Sequence, residues 1–318
     1  MKRLVRLSAA ALVSAAVTVN ALAFMQARGM TRFIERGART AAPEQLAFFD
    51  RLSVVLSSVS IPRPVNKRTP GDLNLAFISH RFPNPQGETL EAWFVPSKRD
   101  RLVVALFHGY AASKSTLLTT AAAFHQLGYA TLLVDFYGSG GSSGSGTTIG
   151  IRESADVSAA AEYIRRTWPE WKIVLYGMSM GGAAVLRAVA EDRVEADGVI
   201  IEATFDSLLN TGKNRFRAMG LPASPFAELL LFWGSVQNGF NAFAHNPVDY
   251  ARRVKHPALI LHGEKDERTK VQEARSIAVA MGANARFVAY DGVPHMPIVD
   301  VRFDDWSREV ATFLKEIH

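Results

Sequence analysis

The stretch "VLYGMSMGG", Val174 to Gly182, surrounds a single serine with glycines. Ser179 follows the apolar strand pattern "KIVLY" and precedes "GGAAVLRAVA", a run of small residues with helical character. A serine on a sharp turn from a strand into a helix needs small neighbours, because the two arms of the turn approach closely. Gly177, Gly181 and Gly182 meet this need. We therefore predict that Ser179 lies on such a turn, with its hydroxyl projecting from a sheet and a helix N-terminus beside it.

Apolar strand patterns alternate with helical patterns from about residue 74 onwards. The strand patterns are "LNLAFISHRF", "TLEAWFVP", "LVVALFHG", "ATLLVDFYG", "KIVLYG", "GVIIEATF", "ALILHG" and "ARFVAYDG". Helical periodicity lies between them, over residues 115–127, 153–167, 180–191 and 270–282. A final helix presents one apolar face, made of Trp306, Val310, Phe313, Leu314 and Ile317. The alternation predicts an α/β fold with a doubly wound, mostly parallel sheet of eight strands.

The chain has 318 residues, enough for one large α/β domain with additions. We expect a hydrophobic N-terminal segment over residues 1–30, a connector carrying one helix over 31–73, and the α/β domain over 74–318. Residues 206–256 interrupt the alternation, so we expect them to form an insertion within that domain.

The N-terminus carries a basic cluster, Lys2, Arg3 and Arg6, before an uncharged run from Leu7 to Ala27. Three interpretations stay open. The run is a cleaved export signal with small residues at Ala21–Ala23, an uncleaved helix across a hydrocarbon core of ~30 Å, or an N-terminal helix of a cytoplasmic protein. The basic cluster favours a cytoplasmic N-terminus, with the rest of the chain exported or anchored outside the cytoplasm. Because the run lies outside the alternating pattern, we expect it to contribute export or membrane attachment only.

Charge and cysteine content exclude several kinds of protein. The formal net charge is +6, and the first forty residues, with seven basic residues and one acidic residue, account for all of it. The remainder has no zinc-finger spacing, basic helix or RNP-like motif, so we expect no nucleic-acid partner. The chain has no cysteine, which excludes disulfides and thiolate catalysis.

A serine hydroxyl becomes a nucleophile when an imidazole takes its proton and a carboxylate orients that imidazole. Asp266 follows the strand pattern "ALILHG", and His295 follows "ARFVAYDG". Both fall at the carboxyl ends of strands, where open α/β sheets form their sites. Asp206, in "EATFDS", also follows a strand and is the alternative acid.

The other histidines are assigned structural or surface positions. We expect His108 to support a loop and His262 to end a strand. The remaining five are expected in surface loops: His80, His125, His245, His256 and His318.

With Ser179, Asp266 and His295 in this order, residues 74–318 resemble the α/β-hydrolase superfamily, in its serine-nucleophile branch. The resemblance implies that "LFHGY" is the oxyanion loop and that the backbone N–H groups of Tyr110 and Met180 hold the oxyanion. The segment "DFYGSGGSSG" resembles the family's Asp-x-x-Gly-x-Gly-x-Ser loop. The His-Gly-Gly-Gly motif of some lipases and esterases is absent, which argues against that subgroup.

In this fold an insertion such as "LPASPFAELLLFWGSVQNGFNAF" commonly forms a cap over the nucleophile. Its aromatic residues have two possible uses. They line an apolar acyl pocket, or they pack the cap onto the main domain. The candidates are Phe226, Phe232, Trp233, Phe240 and Phe243.

The resemblance implies a serine hydrolase that cleaves an acyl bond of an apolar small molecule, with a carboxylic ester favoured. It implies no cofactor, and His, Asp and Glu do not cluster at metal-ligand spacing. One alternative is a serine aminopeptidase, in which a carboxylate such as Glu228 grips a peptide amine. The other is a non-catalytic binding protein on a hydrolase fold.

Overall fold

The computed structural model describes residues 2–41, 47–97 and 101–317. These residues form two compact units. The helical unit comprises Met1–Pro62 and Leu209–Ala244, and the sheet unit comprises Arg63–Leu208 and His245–His318. Residues 209–244 of the helical unit fall within the insertion predicted over 206–256, and residues 63–73 of the predicted connector fall in the sheet unit. The predicted domain bounds themselves stay a prediction.

The strands of the sheet unit are β1 (Ile78–Pro83), β2 (Thr89–Val95), β3 (Leu102–Phe107), β4 (Ala130–Val134), β5 (Lys172–Met178), β6 (Gly198–Glu202), β7 (Ala258–Gly263) and β8 (Ala285–Tyr290). They form one eight-stranded sheet in the order β1-β2-β4-β3-β5-β6-β7-β8. Strand β2 is antiparallel to both of its neighbours, and the other pairs are parallel. The predicted doubly wound, mostly parallel sheet is confirmed.

The α-helices are α1 (Lys2–Thr31), α2 (Phe48–Ser57), α3 (Leu118–Gln126), α4 (Glu153–Thr167), α5 (Met180–Glu191), α6 (Leu208–Ala218), α7 (Phe226–Asn238), α8 (Pro247–Ala251), α9 (Val271–Met281) and α10 (Phe303–Ile317). Helices α4, α5 and α9 cover one face of the sheet with residues such as Val157, Val185 and Ile277. Helices α3 and α10 cover the other face, where Phe124 and Trp306 are fully buried. Apolar layers on both faces explain why the central strands are continuous apolar runs.

Of the five histidines expected in surface loops, three are not in surface loops, and His318 is outside the described residues. His80 is a half-buried residue of β1, and His125 is a half-buried residue of α3.

His245, expected in a surface loop, is fully buried in the sheet unit. Its Nε2 donates to the carbonyl of Ile149 at 3.1 Å, and its Nδ1 lies 3.1 Å from the Tyr250 hydroxyl. Burial lowers the pKa of His245 to about 3. The expectation of an exposed ring rested only on the position of His245 in a loop. In the structure the ring packs beside Phe205 and Tyr250.

The helical unit contains α1, α2, α7 and residues 209–218 of α6. Residues 8–18 of α1 are exposed on every face, but its C-terminal half packs against α7. The Trp233 indole N–H donates to Asn20 Oδ1 at 3.1 Å, and the Trp233 ring meets the Phe24 ring edge to face. The expectation that the apolar run contributes attachment or export only was therefore wrong. The contacts between α1 and α7 join residues more than 200 positions apart, so no local sequence pattern predicts them.

Candidate active site

Ser179 lies on the turn between β5 and α5, as the glycine pattern predicted. Its backbone has φ 53° and ψ −116°, a left-handed region that a residue with a side chain adopts only under strain. Two hydrogen bonds hold it there: the Ser179 amide donates to the Glu202 carbonyl at 2.8 Å, and the Thr204 hydroxyl donates to the Ser179 carbonyl at 3.1 Å. Neighbouring strand β6 therefore fixes the strained residue.

The three glycines around Ser179 allow close contacts that a Cβ would prevent. A Cβ at Gly177 would lie 2.5 Å from the carbonyl carbon of Gly181. A Cβ at Gly181 would lie 2.3 Å from the Phe107 carbonyl oxygen, and one at Gly182 would lie 2.0 Å from Thr204 Oγ1. The start of α5 is thus pressed against the ends of β3 and β6.

The loop after β3 runs beside the serine. A Cβ at Gly109 would be 3.5 Å from Ser179 Cβ, so the backbone that leads into Tyr110 passes directly by the nucleophile candidate. Met180 is the first residue of α5, and the first N–H groups of a helix have no acceptor within it. The two residues predicted to form an oxyanion hole therefore belong to segments that border Ser179.

His108 joins the loops that follow β3 and β4. It is fully buried, its Nδ1 donates to the Gly109 carbonyl at 2.9 Å, and its Nε2 accepts from the Phe136 amide at 3.2 Å. Burial lowers the pKa of His108. The neutral ring donates at one nitrogen and accepts at the other, so it links the loop after β3 to the loop after β4.

A buried ion network anchors the "DFYGSGGSSG" loop. Asp135 pairs with the fully buried Lys114 ammonium, which also lies 2.9 Å from Glu91 Oε1. Asp135 accepts further hydrogen bonds from the amides of Lys114 at 2.7 Å and Gly141 at 2.8 Å. Burial would raise the pKa of Asp135, but the Lys114 charge outweighs it and the pKa is lowered. The network fastens this loop to the segment after Tyr110.

Asp266 and His295 meet at the carboxyl ends of β7 and β8. His295 Nδ1 donates to Asp266 Oδ2 at 2.6 Å. The Asp266 carboxylate is buried and also accepts from the amides of Arg268 and Thr269, both at 2.9 Å. Burial would raise the pKa of Asp266, but the hydrogen bond and charge of His295 lower it below its usual range. An ionised carboxylate thus holds the imidazole in one orientation.

A second histidine supports the same carboxylate. His262, near the end of β7 as predicted, is fully buried, with Nε2 3.6 Å from Asp266 Oδ2. That nitrogen donates to the Thr269 carbonyl at 2.8 Å, which fixes the turn containing Asp266. Burial lowers the pKa of His262, so the ring is neutral at neutral pH.

Glu202, at the end of β6, was not identified from the sequence, although it stands in an otherwise apolar strand. Its carboxylate accepts from the Ile298 amide at 2.7 Å and from the Trp306 indole at 3.1 Å. Ile298 follows His295 by three residues. Glu202 therefore ties both the serine turn, through its carbonyl, and the histidine loop, through its side chain, to one strand.

The structure also locates the remaining candidates. The backbone of Asp206 donates to Glu273 at 3.3 Å. Phe226 lines a cavity within the helical unit together with residues of α1. Trp233 contacts α1, and Phe232 is exposed next to Trp233. A substrate-binding role for Phe226, Phe232, Trp233 and Phe240 stays a prediction, and neither interpretation of these aromatics anticipated α1 as a partner.

The chain is similar to several known proteins. A family model described as serine aminopeptidase, S33, matches residues 98–233, which include Ser179. The Schizosaccharomyces pombe protein bem46 is 27% identical over 209 residues, and the match covers 64% of each chain, slightly under two thirds. The Arabidopsis thaliana α/β-hydrolase domain-containing protein WAV2 is 26% identical, and the match covers 79% of this chain and 82% of that one.

Among solved structures, the Pyrococcus furiosus esterase Pf2001 superposes with a TM-score of 0.68 at 23% identity, over 80% of this chain and 97% of that one. The sheet order and the structural superposition show that the chain has the α/β-hydrolase fold.

The close contacts of the serine turn predict that Gly181→Ala destabilises the sheet unit. The added methyl group would meet the Phe107 carbonyl oxygen, and overpacking of this kind costs about 1–3 kcal/mol. Thermal unfolding should show a lowered Tm. The control is Gly71→Ala, where the nearest atom would lie 3.4 Å away. An equal loss in both variants would contradict the packing assigned to Gly181.

The burial of Glu202 predicts a pH-dependent contribution to stability. Burial raises its pKa from 4.5 to about 7. A carboxyl with a raised folded pKa stabilises the fold at low pH, and this contribution is lost as the pH rises through 7. Compared with Glu202→Gln, which cannot ionise, the wild-type chain should lose up to about 3 kcal/mol between pH 4.5 and 8. Chemical unfolding across that range checks this, and parallel curves for the two proteins would contradict it.

Proposed function

We propose that the protein is a serine hydrolase that cleaves an acyl bond through a covalent acyl-enzyme intermediate. Ser179 is the nucleophile, His295 the general base and then acid, and Asp266 the carboxylate that orients the imidazole. The observation that carries the proposal is the 2.6 Å hydrogen bond from His295 Nδ1 to the buried Asp266 carboxylate. It commits Nδ1 to donation, which leaves Nε2 of the neutral ring as the basic nitrogen.

In the first step, His295 Nε2 takes the hydroxyl proton as Ser179 Oγ attacks the carbonyl carbon of the substrate. The imidazolium that forms is stabilised by Asp266, whose lowered pKa keeps it ionised. The same proton then passes to the leaving group as the tetrahedral intermediate collapses to the acyl-enzyme. Water, activated by His295, releases the acid and regenerates Ser179.

The oxyanion of the tetrahedral intermediate would accept hydrogen bonds from the amides of Tyr110 and Met180. The proximity of Gly109 to Ser179 and the position of Met180 at the start of α5 support this assignment. Each donor of this kind is typically worth ~10²–10³ in rate. The ion network at Lys114 and Asp135 would hold the Tyr110 segment in place during the reaction.

A carboxylic ester is the bond we propose in first place. The Pyrococcus furiosus protein that shares the fold is named an esterase. The S33 family model favours a serine aminopeptidase as the second candidate. The carboxylate considered for a peptide amine, Glu228, already lies 3.1 Å from Lys213 Nζ and accepts from the Ser224 hydroxyl at 2.8 Å, so an incoming amine would have to displace a cation. Acyl esters and aminoacyl anilides assayed side by side separate the two.

We propose that the basic N-terminus stays in the cytoplasm and that the rest of the chain lies on the other side of the membrane. Within the described residues, Ser8–Thr31 is a helix long and apolar enough to cross a bilayer, and an export signal has the same character. The basic residues before it, among them Arg6, support this orientation.

Ser179 should be the residue that fluorophosphonates modify, because it is the hydroxyl with a proposed imidazole partner. Peptide mapping after labelling of the full chain checks this. Ser179→Ala should abolish both labelling and ester hydrolysis while the circular dichroism spectrum stays unchanged. Labelling at another serine, or none in a folded sample, would contradict the assignment and favour a non-catalytic binding protein.

Asp266→Asn should lower kcat by up to ~10⁴, because an amide neither stabilises the imidazolium nor keeps the ring in the productive tautomer. Asp206→Asn is the matched control and should change kcat far less. Both variants are compared by ester hydrolysis, with circular dichroism as the measure of folding. If Asp206→Asn were inactive and Asp266→Asn retained normal turnover, the acid would be misassigned while Ser179 and His295 would stand.

A further inference from the structure

The C-terminal half of α1 is built into the helical unit. Gln26 Nε2 donates to the Val55 carbonyl at 3.0 Å, and the Ser58 hydroxyl donates to the Met25 carbonyl at 2.9 Å. A Cβ at Gly29 would lie 2.4 Å from the Val59 carbonyl oxygen, so α1 touches this segment backbone to backbone. Removal of a signal after Ala23 would delete Asn20, the hydrogen-bond acceptor of Trp233. A chain cleaved at that point would lack part of the contact between α1 and α7.

The N-terminal half of α1 has the opposite character. Residues 8–18 are exposed on every face, with Leu12 72% and Val17 63% exposed, and none of them is charged. Two polar side chains of this region donate to backbone carbonyls of the helix itself: Thr18 to Ser14 at 3.0 Å, and Asn20 to Ala16 at 2.9 Å. A helix that is apolar all round and internally satisfied matches hydrocarbon rather than water.

The exposed apolar surface continues from α1 onto α7. The rings of Phe24, Trp233 and Phe232 form a chain of edge-to-face contacts, with centroids 5.4 and 5.1 Å apart. Phe232 is 48% exposed, and Val236, one turn further along α7, is 57% exposed. The only charge in the thirteen residues of α7 is Glu228, which is paired with Lys213. A shallow apolar groove lies where α1 meets Trp233, lined by Val17, Ala21, Phe24 and Met25 among others.

The apolar run of α1 is as long as a bilayer core is thick, and α7 meets it toward one end. The uncharged run from Leu7 to Ala27 has 21 residues, about 31 Å of helix, which equals a hydrocarbon core. Trp233 meets α1 at Asn20 and Phe24, which lie roughly 6–12 Å along the axis before Arg28. Trp233 therefore lies toward the Arg28 end of the run, and tryptophan is enriched near the interface at which a membrane protein leaves the hydrocarbon.

We propose that the helical unit is seated on a lipid bilayer: α1 is a retained anchor, and the exposed face of α7 formed by Phe232 and Val236 enters the same membrane interface beside it. The occupant of the apolar face is lipid. This inference does not depend on the serine chemistry.

The chain has no cysteine, so single cysteines can report their surroundings in the full-length protein. We would label Val236→Cys with the fluorophore NBD after reconstitution into phosphatidylcholine–phosphatidylglycerol vesicles. The matched control is Val279→Cys, a valine on α9 of the sheet unit that is more exposed than Val236, and Leu12→Cys is the reference within α1. Circular dichroism shows that each variant is folded.

NBD at position 236 should be blue-shifted and quenched about twofold by lipids with a nitroxide near the headgroup, whereas NBD at position 279 should be unaffected. NBD at position 12 should be quenched best by a nitroxide deeper in the chain. If position 236 behaves as position 279 does, the α7 face is not in the membrane. Disulfide-linked dimers of Val236→Cys without quenching would assign the face to a second copy of the chain and overturn the proposal.

Retention of α1 is measured separately, by the intact mass of the protein isolated from the expressing cells. A mass that includes residues 1–23 is expected. A chain that begins after Ala23 would show a cleaved signal and would overturn the anchor, whatever the result of the quenching experiment.

Discussion

The lack of a Cβ at three glycines, Gly177, Gly181 and Gly182, is the constraint on which the site depends. Backbone atoms of Gly177, Gly181 and Gly182 approach their neighbours more closely than any Cβ permits. This packing accompanies the left-handed backbone conformation of Ser179, at the turn from β5 into α5. The strain is balanced by hydrogen bonds to β6, so the position of Ser179 is set by the sheet itself and not by a loop.

The same strands position the other site residues. Glu202, whose carbonyl binds the Ser179 amide, also accepts from the Ile298 amide just beyond His295. Asp266 is fixed by the amides of its own turn and by His262 behind it. Two histidines that are neutral because they are buried, His108 and His262, serve as braces, whereas His295 is half-buried and accessible.

The sequence predicted the sheet, its strands, the turn at Ser179 and the order of the candidate residues, because these depend on local periodicity and on small residues at fixed spacing. It did not predict Glu202 as a connector, because a hydrogen bond to Ile298 joins residues 96 positions apart. It also missed the burial of His245, which depends on neighbours supplied by Phe205 and Ile149. The contact of α7 with α1 was also missed, because it joins residues far apart in the sequence. The hydrophobicity of a helix shows that one of its faces is apolar, but not which element covers that face.

The contact between α1 and α7 has a consequence for synthesis of the chain. Asn20 leaves the ribosome 213 residues before Trp233, a delay of roughly 10 to 40 s at ordinary elongation rates. During that interval the apolar helix lacks its partner in the protein and needs another apolar environment to avoid aggregation. The contact between α1 and α7 can therefore form only after much of the parallel sheet has been translated. The factor that binds α1 at the exit tunnel determines where in the cell this contact forms.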